Sequence, residues 1–235
     1  MSRRIAGRVG VGCLLAGAFG LVVGGPGIVA GRGDQASATV TIDPATELRV
    51  RALADAATLG VSGVGCDGLL RGSGFVVGDT AYTNRHLVEG GEAVKFDQAV
   101  EPIVQPISAL AADLDVATAP AVSAVRLEFA EHNPAIGSIV FVAGHAGGNE
   151  TEVLQGTVHL YGDGATWGVD GNVMLIDVET VPGFSGGPVL DVDGRVVAML
   201  QGMEPTIGLT IAIPVEDLRT WSAIDQEATP ERCQR

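Results

Sequence analysis

Short apolar runs broken by turn residues fill most of the chain. After residue 60, stretches rich in Val, Ala, Gly and Thr are punctuated by Cys66-Asp67-Gly68, Gly78-Asp79, Glu89-Gly90-Gly91, His145-Ala146-Gly147-Gly148, Gly162-Asp163-Gly164, Asp170-Gly171 and Asp193-Gly194. Gly and Asp supply turn conformations and β-branched residues favour strands, so the pattern predicts many short strands in an all-β barrel or sandwich. No strand–helix alternation, internal repeat or low-complexity tract is present. Two segments switch to a helical period. Asp43-Pro44 reads as an N-cap followed by proline at the first helical position, and Leu48, Ala52, Leu53 and Ala56 recur at helical spacing across 45–59, before Gly60. Pro214 to Gln226 reads as a closing helix with Val215, Leu218 and Trp221 on one face, expected to pack across the barrel.

The first 38 residues follow a different rule. Arg3, Arg4 and Arg8 precede a charge-free run from Val9 to Ala30, and small residues at Ala30 and at Ala36-Ser37-Ala38 offer cleavage sites. This is the pattern of an export signal. The run is also long enough to span a bilayer, but its seven glycines weaken the helix, so an uncleaved N-terminal anchor is the competing reading. Cys13 has no apolar run before it and is not placed for lipidation, and Arg32-Gly33-Asp34 lies inside the leader.

At 235 residues the chain suits one sizeable domain, or two small lobes sharing a core, after a leading segment over 39–59. A chain of this size buries roughly 70% of its unfolded surface and needs no metal to fold. It carries 14 Lys+Arg against 28 Asp+Glu, and the leader holds Arg3, Arg4, Arg8, Arg32 and Asp34; the remainder has 10 basic and 27 acidic side chains. Such a surface argues against nucleic acid or an anionic membrane as partner, because both are bound through Lys and Arg. Beyond the leader two cysteines remain, Cys66 and Cys233, near the two ends of the strand-rich region. In an exported protein an even pair reads as a disulfide, the alternative being two free thiols. There is no CxxC and no Cys/His cluster, so neither a metal nor a cofactor is expected.

Three separated segments carry reactive groups in a recognisable order. His86 ends a strand-like run in Thr83-Asn84-Arg85-His86-Leu87-Val88, Asp115 precedes an apolar pair in Asp113-Leu114-Asp115-Val116-Ala117, and Ser185 sits among glycines in Pro182-Gly183-Phe184-Ser185-Gly186-Gly187-Pro188. A serine hydroxyl is a weak nucleophile until an imidazole takes its proton, and the imidazole needs a carboxylate to set its tautomer and stabilise its cation. The N–H groups of Gly183 and Ser185 would stabilise a developing oxyanion. Gly183-Phe184-Ser185-Gly186-Gly187 formally satisfies the nucleophile elbow of α/β-hydrolases, but those enzymes run serine, acid, histidine. Here His86, His132, His145 and His159 all precede Ser185. The order His86, Asp115, Ser185 is that of the chymotrypsin-type serine proteases. Asp113 competes for the acid role, though the Asp-apolar-Ala order favours Asp115. The other three histidines have no such context, and Asn149-Glu150-Thr151 is a formal glycosylation sequon treated as chance.

At Gly72–Gly78, Thr83–Gly90, Asp115–Ala117, Gly183–Leu190 and Ile211–Pro214 the chain resembles the protease domain of HtrA-like trypsin-fold peptidases, and within them the actinobacterial MarP-like envelope proteases, whose cysteines also flank the domain. The resemblance covers roughly residues 60–225. It implies two antiparallel β-barrels, about 60–130 and 135–226, with His86, Asp115 and Ser185 in the cleft between them. It also implies an exported or envelope-bound endopeptidase acting on polypeptides; after residue 226 no PDZ module is expected to fit. Two positions depart from the family pattern. Phe184 replaces the usual Asp or Asn before the serine, which excludes activation by a newly cut N-terminal amine and bears on the oxyanion loop. Arg85 stands where a small residue usually precedes the histidine and brings a charge close behind the imidazole.

Substrate preference is less legible. Glu179 lies six residues before Ser185, where trypsin-like enzymes place a pocket acid; strand alternation would put Asp177 on the same face, with Thr180 between them and Ser185. Both carboxylates equally suit a solvent-facing strand. Leu200 and Gln201, within Met199-Leu200-Gln201, are expected to form a pocket wall and to pair with substrate backbone. The competing functional class is a catalytically inactive protease fold that binds peptides as a holdase.

Overall fold

The computed structural model describes residues 41–97, 101–148, 150–223 and 233. Residues 1–38, read above as an export leader, Asn149 of the sequon, and the expected continuation of the closing helix from 224 to 226 lie outside the described residues. Among the described residues no helix is long and apolar enough to cross a membrane.

Helix α1 (Pro44–Ala57) begins as its residues demand. The Asp43 carboxylate accepts the Thr46 N–H at 3.0 Å and proline occupies the first turn. It ends two residues before the expected limit, because Leu59 and Gly60 already belong to a strand. Its buried face is Val50, Ala54 and Ala57, with Leu53 packed alongside, while Leu48 is 71% exposed. The spacing of Leu48, Ala52 and Ala56 therefore marked the wrong stripe; alanines suit either face, and Val50 decides it.

Thirteen described strands follow, all pairing antiparallel. β1 (Leu59–Gly65), β2 (Gly68–Val77), β3 (Thr80–Thr83), β4 (Ala93–Asp97), β5 (Ile103–Pro106), β6 (Ala109–Leu110) and β7 (Ala117–Pro120) make a seven-stranded sheet in the order β5-β4-β1-β2-β3-β7-β6. β8 (Ile139–His145), β9 (Thr151–Asp163), β10 (Asn172–Ile176), β11 (Pro188–Leu190), β12 (Val196–Glu204) and β13 (Leu209–Pro214) close a barrel in the order β10-β13-β12-β11-β8-β9. The first sheet is not closed by hydrogen bonds among the described residues. It curls around its own core, Val61, Val76, Val94, Phe96, Leu110 and Ala119, and is barrel-like rather than a sealed barrel.

A second core joins the two lobes. It takes Val50, Ala54 and Ala57 from α1, Phe75 and Tyr82 from the first sheet, and Phe141, Leu190 and Ile213 from the barrel. Leu218 comes from α2 (Val215–Ala223), and each of the large apolar side chains contributes about 1.5–3 kcal/mol by leaving water. Val215 and Leu218 are fully buried, Val215 in the barrel core and Leu218 in the core between the lobes, where Trp221 packs alongside. The Tyr82 hydroxyl meets Ser222 Oγ at 3.0 Å; the Ser222 proton goes to Leu218 O, so Tyr82 is the donor and ties the first lobe to α2. The linker between the lobes is stitched to both, through Leu127 N–H to Val76 O and Ala130 N–H to Val196 O.

Candidate active site

His86 sits in a 3-10 turn (Arg85–Leu87) that follows β3. Asp115 precedes β7, which pairs with β3, so the two segments are neighbours by register. Asp115 Oδ2 lies 2.6 Å from His86 Nδ1 and Asp115 Oδ1 accepts the His86 backbone N–H at 2.9 Å. An ionised carboxylate only accepts, so this contact places the neutral imidazole's proton on Nδ1 and leaves Nε2 with its lone pair. Asp115 is 6% exposed and its backbone carbonyl accepts from Asn84 Nδ2 at 2.9 Å. Asp113 is exposed. The Arg85 charge does not press on the ring. It pairs with Glu89 at 3.3 Å, donates to the carbonyls of Ala111 and Ala112 at 2.8 and 3.0 Å, and reaches Asp170 at 3.5 Å. Arg85 thus fastens the histidine turn to the loop carrying the acid.

Ser185 lies in the loop before β11, half-buried. Its Oγ donates to Gln201 O at 3.2 Å, and no hydrogen bond to His86 is formed. Gln201 lines, with His86 and Asp115, a cavity of about 410 Å³ whose other walls include Trp167, Val169, Met203 and Ile211. The serine hydroxyl thus contacts, through Gln201 O, a residue that lines the cavity holding the His–Asp pair. Gly183 has φ +108°, and an added Cβ would come within 2.1 Å of His145 O; only glycine fits. The N–H groups of Gly183 and Ser185 find no acceptor among the described residues, which leaves two donors for an incoming oxygen.

The Phe184 side chain turns away from that loop. Its side chain is fully buried in the barrel core with Val142, Val189 and Leu200. The ring lies against Gly144, where a Cβ would meet Phe184 Cγ at 2.6 Å. The residue anchors the nucleophile loop by burial, where the family pattern uses a polar side chain. Phe184→Ala is expected to lower unfolding free energy by about 3–4 kcal/mol, measured by urea denaturation. A change below about 1 kcal/mol would mean the ring is not a core element.

The remaining predicted residues are scattered. β10 stops at Ile176, so strand alternation does not extend to Asp177 and Glu179; both are exposed. Thr180 is buried and donates to Thr210 Oγ1 at 3.0 Å, since the Thr210 proton goes to Val178 O. Leu200 faces the barrel core, and its backbone reaches the nucleophile loop: its carbonyl accepts Gly186 N–H at 2.8 Å and its N–H donates to Gly187 O at 2.9 Å. Gln201 alone of this group lines the cavity with the histidine. Cys66 and Cys233 are bonded to one another. The walls Trp167, Val169 and Met203 carried no signal in the sequence, because they come together only through the barrel. His145, at the end of β8, is held below its ordinary pKa by burial, against the opposing pull of Asp97 and Asp55. Its Nδ1 is buried without a partner.

A trypsin-like peptidase domain profile matches residues 72–199. The serine protease Rv3671c of Mycobacterium tuberculosis is 28% identical over 149 residues, covering 58% of this chain and 37% of that protein. A probable periplasmic serine endoprotease, DegP-like, of Brucella suis is 31% identical over 156 residues, covering 61% and 30%. The chain thus spans about a third of the length of the curated relatives it matches. Among solved structures, the active form of the Rv3671c protease superposes with a TM-score of 0.67 at 22% identity, covering 82% of this chain and 92% of that one. The HtrA-type protease AlgW with a tripeptide gives 0.66 at 16% identity, covering 75% and 62%. At these identities the superpositions establish the fold, which is chymotrypsin-like.

Proposed function

This chain belongs to the trypsin-like peptidase family, and on that premise we propose that it is an exported serine endopeptidase acting through His86, Asp115 and Ser185. The observation that carries the reading is the 2.6 Å contact between His86 Nδ1 and Asp115 Oδ2 beside a serine loop with two unclaimed N–H groups. In the proposed cycle a peptide pairs with β12 and its backbone N–H takes over Gln201 O, which frees Ser185 Oγ to turn to His86 Nε2. His86 removes the hydroxyl proton as Ser185 Oγ bonds to the carbonyl carbon, and the resulting oxyanion sits between Gly183 N–H and Ser185 N–H. The imidazolium, stabilised by Asp115, returns the proton to the departing amine. The acyl group stays on Ser185 until water, activated by the same imidazole, releases it. A preference for basic side chains through Asp177 or Glu179 belongs to this proposal and rests on chain position alone.

A second reading has one observation in its favour. Ser185 Oγ donates to Gln201 O and not to His86, which suits a latent enzyme or a module that only captures peptides. The experiment that separates the two is labelling of the full chain with a fluorophosphonate, which reacts with an activated serine. The enzyme reading expects one adduct, on Ser185, absent from Ser185→Ala and His86→Ala. No adduct on folded protein would assign the fold to binding or to a partner-dependent enzyme.

A further inference from the structure

Ser73 lies in β2, outside the predicted site, and is fully buried. All three of its polar atoms engage the nucleophile loop or its supports. Its N–H donates to Ser185 O at 2.7 Å. Its Oγ donates to Gly183 O at 2.7 Å and accepts the His145 N–H at 2.9 Å, and its carbonyl accepts from Thr83 Oγ1 at 2.7 Å.

The geometry of the loop explains why the hydroxyl matters. Three successive carbonyls, of Pro182, Gly183 and Phe184, each point at a donor: Gly147 N–H at 2.9 Å, Ser73 Oγ at 2.7 Å and Gly187 N–H at 2.9 Å. A peptide group is planar, so holding each C=O directs the following N–H the opposite way. The first and third contacts therefore aim the Gly183 and Ser185 N–H groups. The middle peptide joins them; its own N–H reaches Val181 O at 3.3 Å, and it follows a glycine at positive φ, the residue type least hindered in backbone rotation. Of the three carbonyls, only the middle one is held by a side chain. Without the hydroxyl, Gly183 O would be buried without its partner and the half-buried His145 would lose the Ser73 acceptor of its N–H, a state relieved by turning the middle peptide.

We infer that Ser73 is a positioning residue for oxyanion stabilisation: its hydroxyl holds the Gly183–Phe184 peptide so that the Gly183 and Ser185 N–H groups converge on one point. The inference rests on the proposed reading of those two groups as the oxyanion donors. Ser73 touches no reacting atom of substrate in this arrangement; it acts through the loop. The same hydroxyl couples that loop to His145, which together with Gly72 lines a separate cleft of about 700 Å³.

The test compares the full, oxidised wild-type chain with Ser73→Ala on fluorescein-labelled casein and on the peptide aldehydes leupeptin and chymostatin, each beside its alcohol. An aldehyde forms a hemiacetal with the serine and needs the oxyanion donors; the alcohol does not. Ser73→Ala is expected to lower kcat about 10- to 100-fold with KM within about threefold, and to lose the aldehyde's advantage over the alcohol by the same factor. Thermal unfolding of both proteins checks that the fold persists. If the wild type favours the aldehyde and Ser73→Ala does so equally, with kcat within about threefold, the role of Ser73 is overturned while the oxyanion reading stands. If the wild type itself shows no preference for aldehyde over alcohol, the oxyanion reading falls and the inference with it.

Discussion

Replacing Ser185 with alanine in the full chain is expected to lower casein hydrolysis about 10⁴- to 10⁶-fold while KM, or the Kd for casein, changes by less than about threefold. The reason lies in what the Oγ does. Among the described residues its one hydrogen bond goes to Gln201 O, a group the substrate backbone is proposed to occupy, so its loss costs nothing in binding. Its role is confined to bond formation, and an interaction made only in the transition state appears in kcat. His86→Ala is expected to cost a similar factor and the double variant no more, because nucleophile and base act as one unit. Asp115→Asn replaces the acceptor of the Nδ1 proton with a group that can donate, favours the wrong tautomer and is expected to cost about 10⁴-fold. Rates come from fluorescent peptide release and binding from fluorescence polarisation. A Ser185→Ala rate within tenfold of wild type would remove Ser185 from the chemistry. Wild-type protein that binds casein as Ser185→Ala does and never cleaves it would establish the binding module.

What the sequence made legible, and what it hid, divides along physical lines. Turn chemistry is local, so the Gly- and Asp-rich breaks located the strands of an antiparallel fold, and the Asp43-Pro44 start of α1 and the Val215, Leu218, Trp221 face of α2 were readable. Chain order and flanking residues singled out His86 and Asp115, which β3 and β7 bring together. Three features depended on tertiary contacts that no local pattern encodes. The buried face of α1 was decided by what it packs against, and two stripes of comparable apolarity competed. Phe184 read as an intruder in the oxyanion loop, yet its ring turns into the barrel because Gly144 leaves room there. Ser73 stood within the Gly72–Gly78 segment with no role of its own; its hydroxyl acquires meaning only when β2 is laid against the loop before β11. Arg85 is the converse case, since its neighbours Glu89, Ala111 and Ala112 turn an apparent threat to the imidazole into a fastening.

Breaking the Cys66–Cys233 bridge is expected to lower unfolding free energy by about 3–5 kcal/mol without unfolding the protein at 25 °C. The two cysteines are 167 residues apart in sequence, so the bridge ties nearly the whole folded chain into one loop. In the chain-entropy account a loop of that length restricts the unfolded ensemble by about 5 kcal/mol, with real bridges often giving less. Little of the native core depends on the bond: α2 is already seated through Val215, Leu218 and the Tyr82–Ser222 contact, before Cys233 is reached. The reduced protein should therefore keep its near-UV spectrum and lose stability mainly because its unfolded state expands. The denaturant slope separates this from a loss of native contacts. Cys66→Ser with Cys233→Ser should show a lower urea midpoint together with a larger m-value than the oxidised chain, since a released chain exposes more surface on unfolding. A lower midpoint at unchanged m would point to lost native contacts around Cys66, where Glu89 Oε1 lies 3.2 Å from the sulfur and in turn pairs with Arg85 beside His86. An unchanged midpoint would mean that the purified chain carries two free thiols.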